Sequence, residues 1–373
     1  MSSNLFKHAD SYLTIDLGAI AKNWHHIDAM SSSTCTTAAM VKANGYGLGS
    51  GEITQALAKT GCQQFFVASI GEAIALRSTL AEAGYPGADI MVLHGVQRGQ
   101  EADLANNGII PVLNDLEQIS RWRLFAGKAG VKLPCLLHFD TGMTRLGLDH
   151  DQTDWLIENP LAYDGLDINY VMSHLVSAEI ASDPVNTTQL ARFREIRRWF
   201  PGIPASLANS AGCMMGPDYH FQMTRPGIAL YGIRPSDIWG AALQPVLGWH
   251  ARIMQIRSTK PGDRVGYNGT FEVARPSRIA TIGVGYADGY SRHLGNTASV
   301  AIGNGVAPVI GRISMDSITV DVTDLDADSL RCDSARLIHD SYSLDKMASD
   351  CGTIPYEIMT QLGQRAQRDY HHI

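Results

Sequence analysis

Ala38-Ala39-Met40-Val41-Lys42-Ala43-Asn44-Gly45-Tyr46-Gly47-Leu48-Gly49 sets the rhythm that the first two thirds of the chain repeats. Four apolar residues read as a buried strand, a lysine stands at the strand's mouth, and a glycine-rich turn leads into the helical pattern of residues 51–60. Apolar runs at 38–44, 65–70, 89–95, 108–114, 134–140, 168–174, 204–210 and 221–231 predict eight strands. Between them, residues 51–60, 71–83, 116–129 and 187–200 carry apolar side chains every three or four positions, as amphipathic helices do. Eight alternations over roughly 230 residues predict a (β/α)8 TIM-type barrel, in which reactive groups collect at the C-terminal ends of the strands. Only residues 212–218 are available for the seventh crossover, too few for a full helix.

Near residue 245 the pattern changes to short alternating runs with Gly and Pro turns, at 249–259, 277–284, 299–301, 309–321 and 335–338. A last helix is expected over 356–366, behind Pro355. The expected organisation is therefore a barrel over 1–244 and a mostly β domain over 245–373, with Thr14-Ile15-Asp16 looking like a strand start. The 373 residues are 45% hydrophobic and 18% charged, with a net charge of −7, so no electrostatic ground exists for binding nucleic acid. No run approaches the roughly 18 to 20 apolar residues of a membrane span, and Met1 to Thr14 lacks the apolar core of a secretory signal. The expectation is a cytoplasmic protein. Its six cysteines lack CxxC pairing, so neither a metal site nor a disulfide framework is signalled.

The chemistry-bearing residues fall at predicted strand ends: Lys42, Arg145, His174, Ser210 and Arg225. Singly, Arg145 reads equally well as a surface residue, His174 as a core histidine and Ser210 as a helix cap; together they point at one barrel mouth. A lysine there can trap an aldehyde, and a glycine-rich turn with the Tyr46 hydroxyl can cradle a phosphate, which suits pyridoxal phosphate. Arg225-Pro226-Gly227-Ile228 supplies a guanidinium that does not readily give up its proton.

The segment around Lys42 resembles the cofactor-lysine motif of the alanine racemase family, and the resemblance runs nearly end to end. It implies a fold-type III pyridoxal-phosphate enzyme that interconverts L- and D-alanine, supplying D-alanine for peptidoglycan. Lys42 is the implied base for one face of the substrate carbon. Tyr267, in Arg264-Val265-Gly266-Tyr267-Asn268, is the implied base for the other. A phenol ordinarily titrates near ~10, so Tyr267 needs positive charge or hydrogen bonding nearby, which the resemblance assigns to His174 and Arg225. Arg225 is implied to contact the pyridine nitrogen, where it can only donate a weak hydrogen bond to a neutral ring. The implied cofactor set also includes Tyr46, His174, Asn209, Ser210, Gly227, Ile228 and Tyr356. Arg145, the backbone at Met315 and the entrance residue Tyr286 are implied to face the substrate. The motifs carrying these last two are Gly311-Arg312-Ile313-Ser314-Met315-Asp316 and Gly283-Val284-Gly285-Tyr286-Ala287-Asp288-Gly289. The resemblance further implies a homodimer in which each barrel is completed by second-domain residues of its partner.

One departure stands in Leu137-His138-Phe139-Asp140-Thr141-Gly142-Met143-Thr144-Arg145. Many members of the family have a lysine, frequently carbamylated, where this chain has His138, and its anionic carbamate orients the arginine matching Arg145. A neutral His138 that accepts a hydrogen bond, or a bound anion or water, is expected in its place. Leu48 replaces a common histidine and Ser314 a common cysteine. Open alternatives are a racemase of broader range, acting on serine or basic amino acids, and a non-catalytic pyridoxal-phosphate carrier. A decarboxylase of related fold fits less well, because Arg225 stands where an acidic partner of the pyridine nitrogen is expected.

Overall fold

The structure, a computed structural model, describes residues 8–236, 239 and 243–371. The chain divides into two units, residues 18–245 and the remainder. In the first, nine short strands pair through eight ladders, all of them parallel. Thr36–Thr37 pairs with the last strand, Met223–Thr224, and Ala39–Met40 pairs with the second, Gln64–Val67. The intervening Ala38 N–H donates to Thr224 O. Residues 36–40 thus act as one strand that closes the ring, giving the eight-stranded barrel expected from the sequence.

Barrel strands such as Ile109–Leu113 are apolar without alternation because both of their faces are covered, and every residue of that strand is buried. Helix starts are written in the chain. Asp115 accepts from Gln118 N (2.7 Å) to open Leu116–Ala129, Asp149 opens His150–Glu158, and Asp183 with Pro184 opens Pro184–Arg198. The seventh crossover is reduced to the one-turn pieces Gly212–Met214 and Pro217–His220, as its short length predicts. Most strands are shorter than their apolar runs, and those at 38–44, 204–210 and 221–231 are cut most, the second to Ala205–Ser206. The run at 38–44 stops at Met40, because the chain turns left-handed from Ala43, and the run at 221–231 keeps only Met223–Thr224, because Pro226 has no N–H to extend the ladder.

In the second unit, the long strand Leu247–Thr259 is the spine. It pairs with Ser11–Asp16 and Ser334–Arg336 along its first half and with Ser277–Ile282 along its second, with an irregularity between Ile253 and Gln255. Ser277–Ile282 continues through Ile318–Asp321, Gly305–Ile310 and Ser299–Ile302 back to Ser334–Arg336, so these ladders form a closed circuit. The expected single strand 309–321 is two strands. Gly311 takes φ +71°, and a side chain there would press on Val265 O, so the chain leaves the ladder and returns at Ile318. The expected final helix is shorter, Pro355–Thr360, and is followed by a strand, Gln367–His371, that runs parallel to Ser11–Asp16. Ser11–Asp16 therefore lies in the sheet of this unit, whereas a barrel over 1–244 would have contained it. Among the described residues, no helix is long and apolar enough to cross a membrane.

Candidate active site

The turn after the first barrel strand is built in an uncommon hand. Ala43, Asn44, Gly45, Tyr46 and Gly47 all have positive φ, and Lys42–Tyr46 winds as a left-handed turn closed by Gly45 N to Val41 O (2.9 Å) and Gly47 N to Ala43 O (2.8 Å). Each non-glycine residue there costs about 1–2 kcal/mol, so side chains must hold the turn. Glu72 Oε1 accepts Ala43 N (2.7 Å), and Asn44 Oδ1 accepts Ser50 N (3.0 Å). A Cβ at Gly45 would crowd the Ser50 backbone, 3.1 Å from its N and 3.2 Å from its Cα, as well as Ile53 Cδ1 at 2.9 Å. Lys42, at the head of this turn, is half-buried. Burial first, and then the Arg145 charge, depress its proton affinity, while the Glu72 carboxylate opposes them.

Next to Lys42 lies a cradle of neutral donors. The Tyr46 ring is buried against Tyr231, with centroids 4.6 Å apart, and its hydroxyl sits over Gly227, where any side chain would collide with it. Ser210 Oγ accepts both Gly227 N (2.8 Å) and Ala229 N (3.4 Å), which leaves its O–H proton to donate elsewhere. Ile228 opens the one-turn helix Ile228–Tyr231, so its N–H has no partner within that turn. Asn209, expected beside the cofactor, accepts Gly212 N (2.9 Å) and donates to Leu175 O (3.4 Å), and so shapes the loop that carries Ser210.

Arg225 is 2% exposed, and its hydrogen-bond partners are neutral: Ser206 Oγ, Ser173 O (2.6 Å), Leu207 O (3.3 Å) and His174 Nδ1 (3.4 Å). Burial lowers its pKa only to about 10, so it stays cationic at neutral pH. A guanidinium can only donate, hence His174 Nδ1 accepts and its ring proton is on Nε2. Burial, with Arg225 and Arg145 behind it, keeps His174 neutral by holding its pKa well below the usual histidine range.

Arg145 rides on the loop after the strand Pro134–His138. Asp140 Oδ1 gathers Gly142 N (2.9 Å) and Met143 N (2.8 Å), and its other oxygen takes Thr144 N (3.0 Å). His138 lies beneath. Its Nδ1 is 2.7 Å from Asn114 Oδ1, and the Asn114 amide hydrogens are taken by Leu93 O and Val112 O, both at 2.9 Å. Asn114 Oδ1 is therefore an acceptor, His138 carries its proton on Nδ1, and Nε2 presents a lone pair. Burial and the charge of Arg225 push the His138 pKa down to about 3. A neutral imidazole, one of the expected substitutes for a carbamate, is thus available at this position.

The remaining expected residues belong to the second unit. Tyr267 is 66% exposed on a turn whose Gly266 lies against Arg312, and Met315 and Tyr286 are 52% and 44% exposed. Tyr286 N donates to Ser314 O (3.2 Å) and Ala287 N to Met315 O (3.1 Å), so these two motifs are one local structure. Arg365 locks it, pairing with both oxygens of the buried Asp288 (2.9 Å each) and with Asp316 (2.7 Å). Tyr356 stands on the helix Pro355–Thr360, and the chain just beyond it packs on Gly289, through Gln361 O. Sequence reasoning missed Glu72, Asn114 and Arg365. Only Glu72 had a local signal, the capping box Ser69-x-x-Glu72.

A lysine with depressed proton affinity, a cradle that only glycine permits and a surplus of cationic over anionic side chains together fit a phosphorylated pyridine aldehyde. Fold and donor set define a barrel protein of the pyridoxal-phosphate-binding class. The chain belongs to the alanine racemase family: the family's N-terminal domain matches residues 15–235 and its C-terminal domain residues 246–370. Alanine racemase of Brucella abortus (strain 2308) is 45% identical over 98% of this chain and 94% of its own length. That of Acidiphilium cryptum (strain JF-5) is 45% identical over 95% and 97%. Among solved structures, alanine racemase from Bartonella henselae with covalently bound pyridoxal phosphate superposes with a TM-score of 0.92 at 40% identity, covering 97% of this chain and 100% of that one. Biosynthetic alanine racemase from Pseudomonas aeruginosa does so with a TM-score of 0.86 at 31% identity, covering 98% and 100%.

Proposed function

We infer that this protein is a pyridoxal-phosphate-dependent racemase that interconverts L-alanine and D-alanine, in the cytoplasm and in the service of peptidoglycan synthesis. The observation that carries the reading is the Lys42 amine, made easier to deprotonate by burial and Arg145, at the head of a turn that ends in a phosphate cradle. When bound, pyridoxal phosphate supplies the electron sink that acidifies the substrate's Cα–H. Tyr46, Ser210, Gly227 and Ile228, with Tyr356, hold the phosphate. Arg225 donates to the ring nitrogen without surrendering a proton, which restrains the sink and disfavours side reactions.

Inversion needs one base on each face. Lys42 Nζ takes or returns the proton on the face used by D-alanine. Tyr267 of a second copy takes or returns it on the face used by L-alanine, its oxygen steadied by His174, whose Nε2–H is the ring's donor. Arg145 and the Met315 backbone grip the carboxylate, and Tyr286 narrows the entrance. The exposed Tyr267, Tyr286 and Met315 support a homodimer in which each protomer completes its partner's site. Six unpaired cysteines suit a reducing compartment.

The test is twofold. Borohydride reduction of the loaded protein followed by peptide mapping is expected to find the cofactor on Lys42 Nζ. Incubation with an amino-acid panel, read by enantiomer-resolving chromatography, is expected to show alanine racemised fastest. An unlabelled Lys42 would end the mechanism, faster turnover of serine or lysine would change the substrate, and bound cofactor with no racemisation of any substrate would leave a carrier.

A further inference from the structure

We propose that Glu72 is a positioning residue for the cofactor lysine, its carboxylate clamping the left-handed turn that carries Lys42 to the end of the neighbouring strand. The inference rests on the reading of Lys42 given above and deepens it. Glu72 opens the helix Ile70–Glu82 in a capping box with Ser69, yet it does more than a cap requires. One oxygen accepts Ala68 N (2.8 Å) and Ser69 N (3.1 Å), at the end of the second barrel strand. The other accepts Ala43 N (2.7 Å), across to the residue after Lys42. A single carboxylate thus takes three backbone N–H groups from two chain segments. Ala43 has φ +52°, a conformation an alanine does not choose unaided, so the short bond to Glu72 selects it.

A carboxylate is the side chain this position demands. Glutamine has one acceptor oxygen, and its amide would set N–H against N–H on one side or the other. Charge adds a second effect. The charged and titratable groups that bear on Lys42 are Arg145, His174 and Glu72, and only Glu72 is negative. It therefore counters part of the burial and repulsion that depress the amine's proton affinity. Removing it should loosen the turn and, separately, make Lys42 give up its proton at still lower pH.

The two effects can be read apart in the protein stripped of cofactor. Pyridoxal phosphate is added back to wild type, Glu72→Gln and Glu72→Gln with Ala43→Gly. Affinity and the pH midpoint of the uptake rate are followed through the absorbance of the bound cofactor. Glu72→Gln is expected to weaken affinity on the order of tenfold and to lower the midpoint by about half a pH unit or more. Adding Ala43→Gly, which accepts positive φ freely, should restore most of the affinity but not the midpoint, because the charge is still missing. An unmoved midpoint, or an affinity loss that glycine does not repair, overturns the proposal and leaves Glu72 an ordinary helix cap. If Glu72→Gln alone does not fold, the double variant still reports the midpoint. If the wild type takes up no cofactor, the assignment of Lys42 falls instead.

Discussion

At the scale of single residues, His138 shows how a neighbour decides chemistry. Asn114 is pinned by two carbonyls, so His138 must donate from Nδ1 and offer Nε2 as a neutral acceptor. A neutral imidazole forms no stable carbamate, so bicarbonate is expected to leave the racemisation rate of freshly desalted enzyme unchanged. Marked stimulation would show another group at work. The same burial sets a pH dependence of stability. The folded pKa is near 3 and the unfolded value is about 6.5, so between these limits the unfolded chain binds a proton that the native protein does not. Stability contributed by the neutral ring is therefore present above pH ~6.5 and is lost as pH falls, by about 1.4 kcal/mol per pH unit. His174 and the carboxylates add slopes of their own, so the comparison is with His138→Gln. Denaturant unfolding of the cofactor-free protein at pH 6.5 and 5.0 should show the variant losing less stability than wild type, and equal slopes would refute the assignment. Lys42, His174 and Arg225 were legible as strand-end residues. Asn114 was not, because an asparagine closing an apolar run reads as a turn and its meaning comes from a histidine on the next strand.

At the scale of elements, the cofactor cradle depends on how closely two turns approach. Gly227 has φ −123° and ψ −91°, a pairing outside the regions an L-residue favours, so Gly227→Ala adds backbone strain to the close contact, and a Tyr46→Phe background separates the two. The alanine methyl group would collide with the Tyr46 hydroxyl. The expected result is a fold unchanged by circular dichroism and an affinity for pyridoxal phosphate lowered at least about tenfold, the loss being smaller in a Tyr46→Phe background. Equal losses in both backgrounds would mean that backbone strain at residue 227, and not contact with the Tyr46 hydroxyl, sets the effect. Elements with their own start signals were readable: Leu116–Ala129 lies behind a capping Asp115 and ahead of Gly130, and its predicted bounds are those observed. Where a tertiary partner decides, the pattern misleads. The run at 309–321 is apolar enough for one strand, but Gly311 must approach Val265 and breaks it. Gln367-Arg368-Asp369-Tyr370-His371 has no apolar alternation, and it is a strand because Ser11–Asp16 lies beside it.

For the whole molecule, that last pairing is also the one that composition and local pattern could not foresee, since it joins the two extremes of the described chain and draws residues 11–16 out of the barrel's sequence block. What the two units do for one another is the remaining question. The barrel unit holds the amine, the cradle and the two arginines, while Tyr267, Tyr286 and Met315 stand exposed on the other unit. If each barrel is completed by the partner's second unit, Lys42→Ala and Tyr267→Phe are each inactive alone but complement one another. In a mixed dimer one site receives both substitutions and the other receives neither. Unfolding and refolding an equal mixture makes about half of the dimers mixed, so about a quarter of wild-type activity should return, with the KM of the wild type. Sites formed within one chain would regain nothing from mixing, since every barrel would still lack one of its two bases. The unmixed variants, carried through the same refolding, fix the baseline against which that recovery is judged.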